Sequence, residues 1–115
     1  MSILFDILLE ADIPADMKFY DGVRDSYKDE VYGTLLAYKP GLDWDNPQPG
    51  YVYGKIDWSK YDGVTKIDWI RVADKFKRKG VGTAMVKELE RLHDRVEWSL
   101  TTPEGEALRK SIYGI

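Results

Sequence analysis

The sequence predicts an α/β (α+β) fold: a mixed, mainly antiparallel twisted sheet flanked by helices, in a single domain over residues 1–115. Three observations predict it. Two strand-like runs, 51–58 and 64–72, flank an Asp62-Gly63 turn signal and read as a hairpin. The second run leads through a basic loop into Gly80-Val81-Gly82 and then a helical pattern. A further strand-like run at 95–100 is followed by a final helical pattern at 104–113.

Taken in order, Ile3, Phe5, Ile7, Leu8 and Leu9 leave Asp6 and Glu10 on the other side of a short amphipathic helix over 3–10. Residues 11–16 break it, and 17–20 form a short strand. Asp21-Gly22 signals a turn and 26–30 a polar loop. Val31–Tyr38 reads as a strand. Residues 39–50 form a loop punctuated by Pro40, Gly41, Pro47, Pro49 and Gly50, with Trp44 between Asp43 and Asp45. On the run 64–72, Lys66, Asp68, Ile70 and Val72 alternate with Thr65, Ile67, Trp69 and Arg71. Neither face is uniformly apolar, as in a central strand with one functional edge. The helix runs from about 81 to 93 and buries Val81, Met85, Leu89 and Leu92, with Lys87, Glu88, Glu90 and Arg91 outside. Thr102 and Pro103 are cap and first position of the last helix.

Composition narrows the function classes. One domain of 115 residues with 43% hydrophobic and 32% charged residues is globular. There is no Cys, which excludes disulfides, thiolate metal sites and a cysteine nucleophile; a single His excludes zinc sites built on several histidines. His93 falls at a helix C-terminus, where the dipole favours it. The apolar start is short, carries Asp6 and Glu10, and lacks a basic region, so it is not read as a signal peptide. No run reaches membrane-spanning length, and cytoplasmic residence is the default. A net charge of −3 argues against general nucleic-acid affinity, despite the basic run Lys75–Lys79, and suits a basic substrate such as an amine.

The segment from Val72 to Val86 carries the chemistry. Gly80 and Gly82 permit close backbone approach, and the first helical turn presents unsatisfied amides. Lys75, Lys77, Arg78 and Lys79 add positive charge, so the guest is a pyrophosphate-bearing cofactor. A dinucleotide turn is excluded because Met85 stands at its third glycine, and no P-loop spacing occurs. The segment resembles motif A of the GNAT acyltransferases, V-x-P-x-x-[RQ]-x-x-G-x-[GA]. Val72 falls on the valine, Lys77 on the Arg/Gln, and Gly80 and Gly82 on the small positions; Asp74 replaces the proline. Lysine brings charge without arginine's planar fork. The resemblance covers about 30 to 115. Family members usually continue into two more strands, which this chain lacks; the uncovered sheet edge leads us to expect a homodimer or other homo-oligomer.

The resemblance implies a cofactor, acetyl-CoA (coenzyme A), held by Ile70, Val72, Lys77, Arg78, Lys79, Gly80, Val81, Gly82 and Thr83, with the Ile70 amide polarising the thioester carbonyl. It implies roles for two side chains as well. Asp68, placed two positions before Ile70 on the same strand face, acts as a base; the other reading pairs it with Lys66, Lys55 or Arg71. Tyr113 protonates the departing thiolate, although Arg109 stands where the family has Ala; the other reading makes Tyr113 a packing residue. The acceptor implied by the resemblance is a primary amine of a small molecule or a protein lysine. Trp44 closes over a cationic substrate or simply anchors its loop. The alternative function is a non-catalytic GNAT-fold module that binds CoA or a protein partner.

Overall fold

The computed structural model describes residues 14–77, 79–99 and 107–110. Strands β1 (Lys18–Tyr27), β2 (Glu30–Tyr38), β3 (Val52–Tyr61) and β4 (Val64–Val72) follow one another as an antiparallel meander. A 3-10 turn (Asp74–Phe76) leads to helix α1 (Val81–Leu92), and β5 (Val96–Trp98) returns parallel to β4. The order in the sheet is β1-β2-β3-β4-β5, the mixed and mainly antiparallel sheet that the sequence predicts. Among the described residues no helix is long and apolar enough to cross a membrane.

The hairpin β3–β4 closes through Asp62 (φ 51°) and Gly63 (φ 77°). Two consecutive positive φ values match the twist of the flanking strands, and Asp-Gly tolerates them. β1 corrects the reading of Asp21-Gly22 as a turn. The strand runs through both residues to Tyr27, and the chain reverses at Lys28-Asp29, where Lys28 has φ 54°. Asp21 is held in the strand by tertiary bonds: its carboxylate accepts from Trp58 Nε1 at 2.7 Å and lies 2.9 Å from His93 Nε2. Gly33 serves packing, not turning. A Cβ there would sit 2.1 Å from the Trp58 ring.

One face of the sheet is covered. Leu35 and Ala37 of β2, Ile56 and Trp58 of β3, and Ile67 of β4 form the core with Val81, Met85, Val86 and Leu89 of α1. The expected helix face is right for Met85 and Leu89 but not for Leu92, which is 45% exposed. At that end His93 turns inward instead, with its ring 4.6 Å from that of Trp58. His93 Nδ1 also lies 3.0 Å from the Oγ1 of fully buried Thr65. Its backbone N–H donates to Leu89 O at 2.8 Å, closing the helix. The Thr65–His93–Asp21–Trp58 chain therefore ties β4, α1, β1 and β3 together, with each buried polar atom partnered.

Candidate functional site

The site begins where β4 and β5 part. They pair only over Thr65–Ile67 of β4, and the last link is Ser99 N–H donating to Ile67 O at 3.1 Å. At that point β4 changes register against β3: Trp58 faces Ile67 but Asp57 faces Trp69, so Asp68 is an extra residue. This is a β-bulge, and bulges bend the strand and re-aim its side chains. The alternation inverts accordingly. Thr65 and Ile67 are buried before the bulge, and Ile70 and Val72 pack against the core after it. Asp68 and Ile70 are thus not on one face as the sequence suggests: Asp68 is exposed and Ile70 half-buried. Simple alternation cannot anticipate a bulge that carries no glycine.

The backbone inverts as well. Beyond the bulge, Ala73 N–H donates to Tyr53 O at 2.9 Å, and Gly54 faces Val72 while Ile56 faces Ile70. In an antiparallel ladder only alternate residues bond to a given neighbour, so 69, 71 and 73 point their amides at β3. The amides of Ile70 and Val72 point the other way, into the widening gap. Among the described residues no strand pairs with them there.

The same strand delivers the chain to the mouth of the gap. After Val72 the 3-10 turn is anchored by Phe76, edge-on to Tyr53 at 4.5 Å. Gly80 then takes φ 85° and ψ 2°, a left-handed conformation that glycine adopts at least cost, and starts α1. No side chain caps this terminus and its first turn carries no acidic residue. The first helical bond runs from Ala84 N–H to Gly80 O at 2.9 Å, so the amides of Val81, Gly82 and Thr83 have no acceptor within the helix. Their positive end suits an anion.

Gly82 plays a different part from the one its spacing suggests. A Cβ there would point to Leu108 at 3.1 Å and to Val72 at 3.5 Å. The missing side chain makes room for the helical turn at 107–110, and Gly80 is the glycine that the loop conformation needs. Lys77 Nζ lies 3.2 Å from Asp74 Oδ1, so the aspartate in place of the motif's proline pairs with the lysine in place of its Arg/Gln. Lys79 is exposed. Arg78 and Tyr113 lie outside the described residues, as do the predicted helix over 3–10 and most of that over 104–113.

At the fork, Asp68 Oδ1 accepts from Ser99 Oγ at 2.8 Å. Its partner is this hydroxyl and not Lys66, Lys55 or Arg71; Lys55 instead lies 5.2 Å over the Trp69 ring. Ser99 escaped the sequence reading, since a serine ending a strand carries no pattern of its own. The sheet face away from α1 adds a hollow of about 230 Å³ lined by Tyr20, Arg24, Thr34, Leu36 and Trp44. Trp44 stands edge-on to Tyr20 and Tyr38 at 5.5 and 5.0 Å. Asp43 is engaged in its own loop, accepting from the amides of Asp45 and Asn46. Asp57 accepts from Thr34 Oγ1 at 2.9 Å, with Arg24 at 3.9 Å.

Neither the curated proteins nor the solved structures contain a match to this chain. The family model described as Acetyltransferase (GNAT) family matches residues 10–102 of the 115. It spans every described strand, the split after Ile67, and the whole glycine loop with α1. The match supports acyltransferase-type chemistry in general. By that match and by its sheet, this chain belongs to the GNAT acetyltransferase family.

Proposed function

We propose that the protein is an N-acetyltransferase that moves the acetyl group of acetyl-CoA to a primary amine of a small molecule or of a protein lysine. One observation carries the reading: the bulge at Asp68 aims the Ile70 amide into the gap beside β5, while the same strand leads to the uncapped start of α1. The uncapped amides, the left-handed Gly80 and the lysines of the loop fit a pyrophosphate. In this reading the amides of Val81, Gly82 and Thr83, with Lys77, Arg78 and Lys79, hold that group. The backbone of Ile70 and Val72 holds the chain behind it. Acetyl-CoA supplies an activated acyl group.

Each remaining task falls to this protein's own residues. The Ile70 N–H donates to the carbonyl oxygen as negative charge develops there; a fixed backbone donor needs no reorganisation at that moment. The exposed Asp68 carboxylate takes a proton from the substrate ammonium, leaving the nitrogen lone pair free to attack. Tyr113, at the position suggested by the resemblance, returns a proton to the leaving sulfur. Cytoplasmic residence fits a chain without Cys.

A second reading, a CoA-binding or protein-interaction module without turnover, is favoured by the Lys77–Asp74 pair, which engages the cation at the motif's Arg/Gln position. A thiol-release assay with acetyl-CoA and a panel of amines and lysine peptides separates the two. Release of CoA dependent on an amine supports the enzyme. Cofactor binding with no turnover on any amine supports the module.

A further inference from the structure

We infer that Ser99 is the positioning residue for Asp68, a role that rests on the acetyltransferase reading above. Three contacts place it. Its N–H donates to Ile67 O at 3.1 Å, and its Oγ lies 3.0 Å from the same carbonyl and 2.8 Å from Asp68 Oδ1. Ser99 follows the last residue of β5, and Asp68 is the bulge residue of β4. One side chain therefore joins the two lips of the gap at the point where they part.

A serine hydroxyl has one proton to give, and here it faces two oxygens. While Asp68 is ionised, both oxygens are acceptors, and the charged one forms the stronger bond. The Ser99 proton then points at Asp68. When Asp68 takes the proton of a substrate ammonium, an N–H bond breaks, an O–H bond forms on the carboxylate, and the electron pair stays on nitrogen. With that proton on Oδ1, the carboxyl donates to Ser99 Oγ, and the Ser99 proton swings to Ile67 O. Both states are fully bonded without displacement of any heavy atom. Ser99 thus holds the carboxylate at the fork before and after proton transfer.

The experiment is a set of steady-state kinetic measurements on the whole chain. kcat and the KM values for acetyl-CoA and the amine are measured separately for the wild type, Ser99→Ala and Ser99→Thr. Ser99→Ala should lower kcat about tenfold and leave the KM for acetyl-CoA within about twofold. Ser99→Thr, which keeps a hydroxyl, should restore kcat, which a merely structural loss would not allow. In an Asp68→Asn background, Ser99→Ala should add no further loss, because the two act as one unit. An unchanged kcat in Ser99→Ala, or losses that simply add, overturns the role of Ser99. Absence of turnover by the wild type on any amine overturns the acetyltransferase reading, and with it the catalytic use of the contact.

Discussion

Among the described residues, the N-terminal end of β4 is closed on every side, and its C-terminal end is open on one. Thr65 bonds through its backbone to Arg95 and through its hydroxyl to His93, whose ring meets Asp21, which in turn accepts from Trp58. Past Ile67 the described sheet offers β4 no second neighbour, and the Ile70 and Val72 amides face a gap. Unpaired backbone donors are costly unless water or a ligand satisfies them. The contrast teaches how one strand can serve both purposes. A buried polar network ties α1, β1 and β3 to one end, and the bulge at Asp68 separates that rigid end from the end where we propose that the ligand sits.

The largest expected effect attacks the open end. Asp68→Asn should reduce kcat by about a hundredfold or more at neutral pH, the usual range for loss of a general base, with acetyl-CoA affinity unchanged. Steady-state kinetics and calorimetry on the same preparation check this; full turnover in the variant would remove Asp68 from the mechanism.

The closed end should respond in stability. Asp21→Ala leaves the Trp58 indole N–H and a His93 nitrogen buried without their acceptor. The cost is about 3 kcal/mol, read as a lower urea midpoint. Acetyl-CoA should still bind the folded fraction, since Asp21 bonds to Trp58 and His93 at the closed end. An unchanged midpoint would mean that the network does not lock the fold.

The glycines give a smaller and more discriminating test. Gly80→Ala forces a Cβ into a left-handed conformation, at about 1 kcal/mol, and weakens acetyl-CoA binding by disturbing the uncapped turn. Gly82→Ala presses on Leu108 and costs stability through packing, with a lesser effect on the ligand. Thermal melts with and without acetyl-CoA compare the two. A larger loss of ligand-induced stabilisation in Gly82→Ala would restore that glycine to the ligand face.

Features legible in the sequence and features hidden from it divide along the same strand. The hairpin at Asp62-Gly63 and the loop at Gly80 were legible because positive φ restricts residue choice locally. Asp21-Gly22 misled because its partners, Trp58 and His93, are distant in sequence, and long-range bonds overrode a local turn signal. The bulge at Asp68 was hidden among residues that all fit a regular strand, so the face shared by Asp68 and Ile70 was read wrongly. Ser99 was invisible for a related reason: its value lies in what the fork brings to it. The motif indicated a cofactor, whereas the geometry that would polarise a carbonyl came from register, which no spacing encodes.

The smallest expected effect is on pH dependence. Tyr53 is buried and bonded to Asp16 Oδ1 at 3.0 Å. Burial first, then that bond and the charge of Asp16, raise its hydroxyl above the ordinary tyrosine value of 10.0. A pKa raised on folding means that the folded state holds the proton more tightly. Its stabilising contribution is complete below about pH 10 and is lost as pH rises through the folded value. Stability should therefore fall above pH 10 less steeply in Tyr53→Phe than in the wild type, by urea melts across that range. Identical slopes would mean that Tyr53 does not titrate with unfolding.

The contrast between the two ends of β4 can be read in one titration. Acetyl-CoA is added to nitrogen-labelled protein while the backbone amides are followed by NMR. Binding through the split should move the amides of Ile70, Val72, Gly80, Val81, Gly82 and Thr83 together along one saturating curve, and leave those of Thr65 and His93 in place. No change at millimolar ligand, or a set of shifts centred on the Thr65–His93 end or the Tyr20–Trp44 hollow with Ile70 unmoved, would contradict the assignment of the open end as the acyl-CoA site.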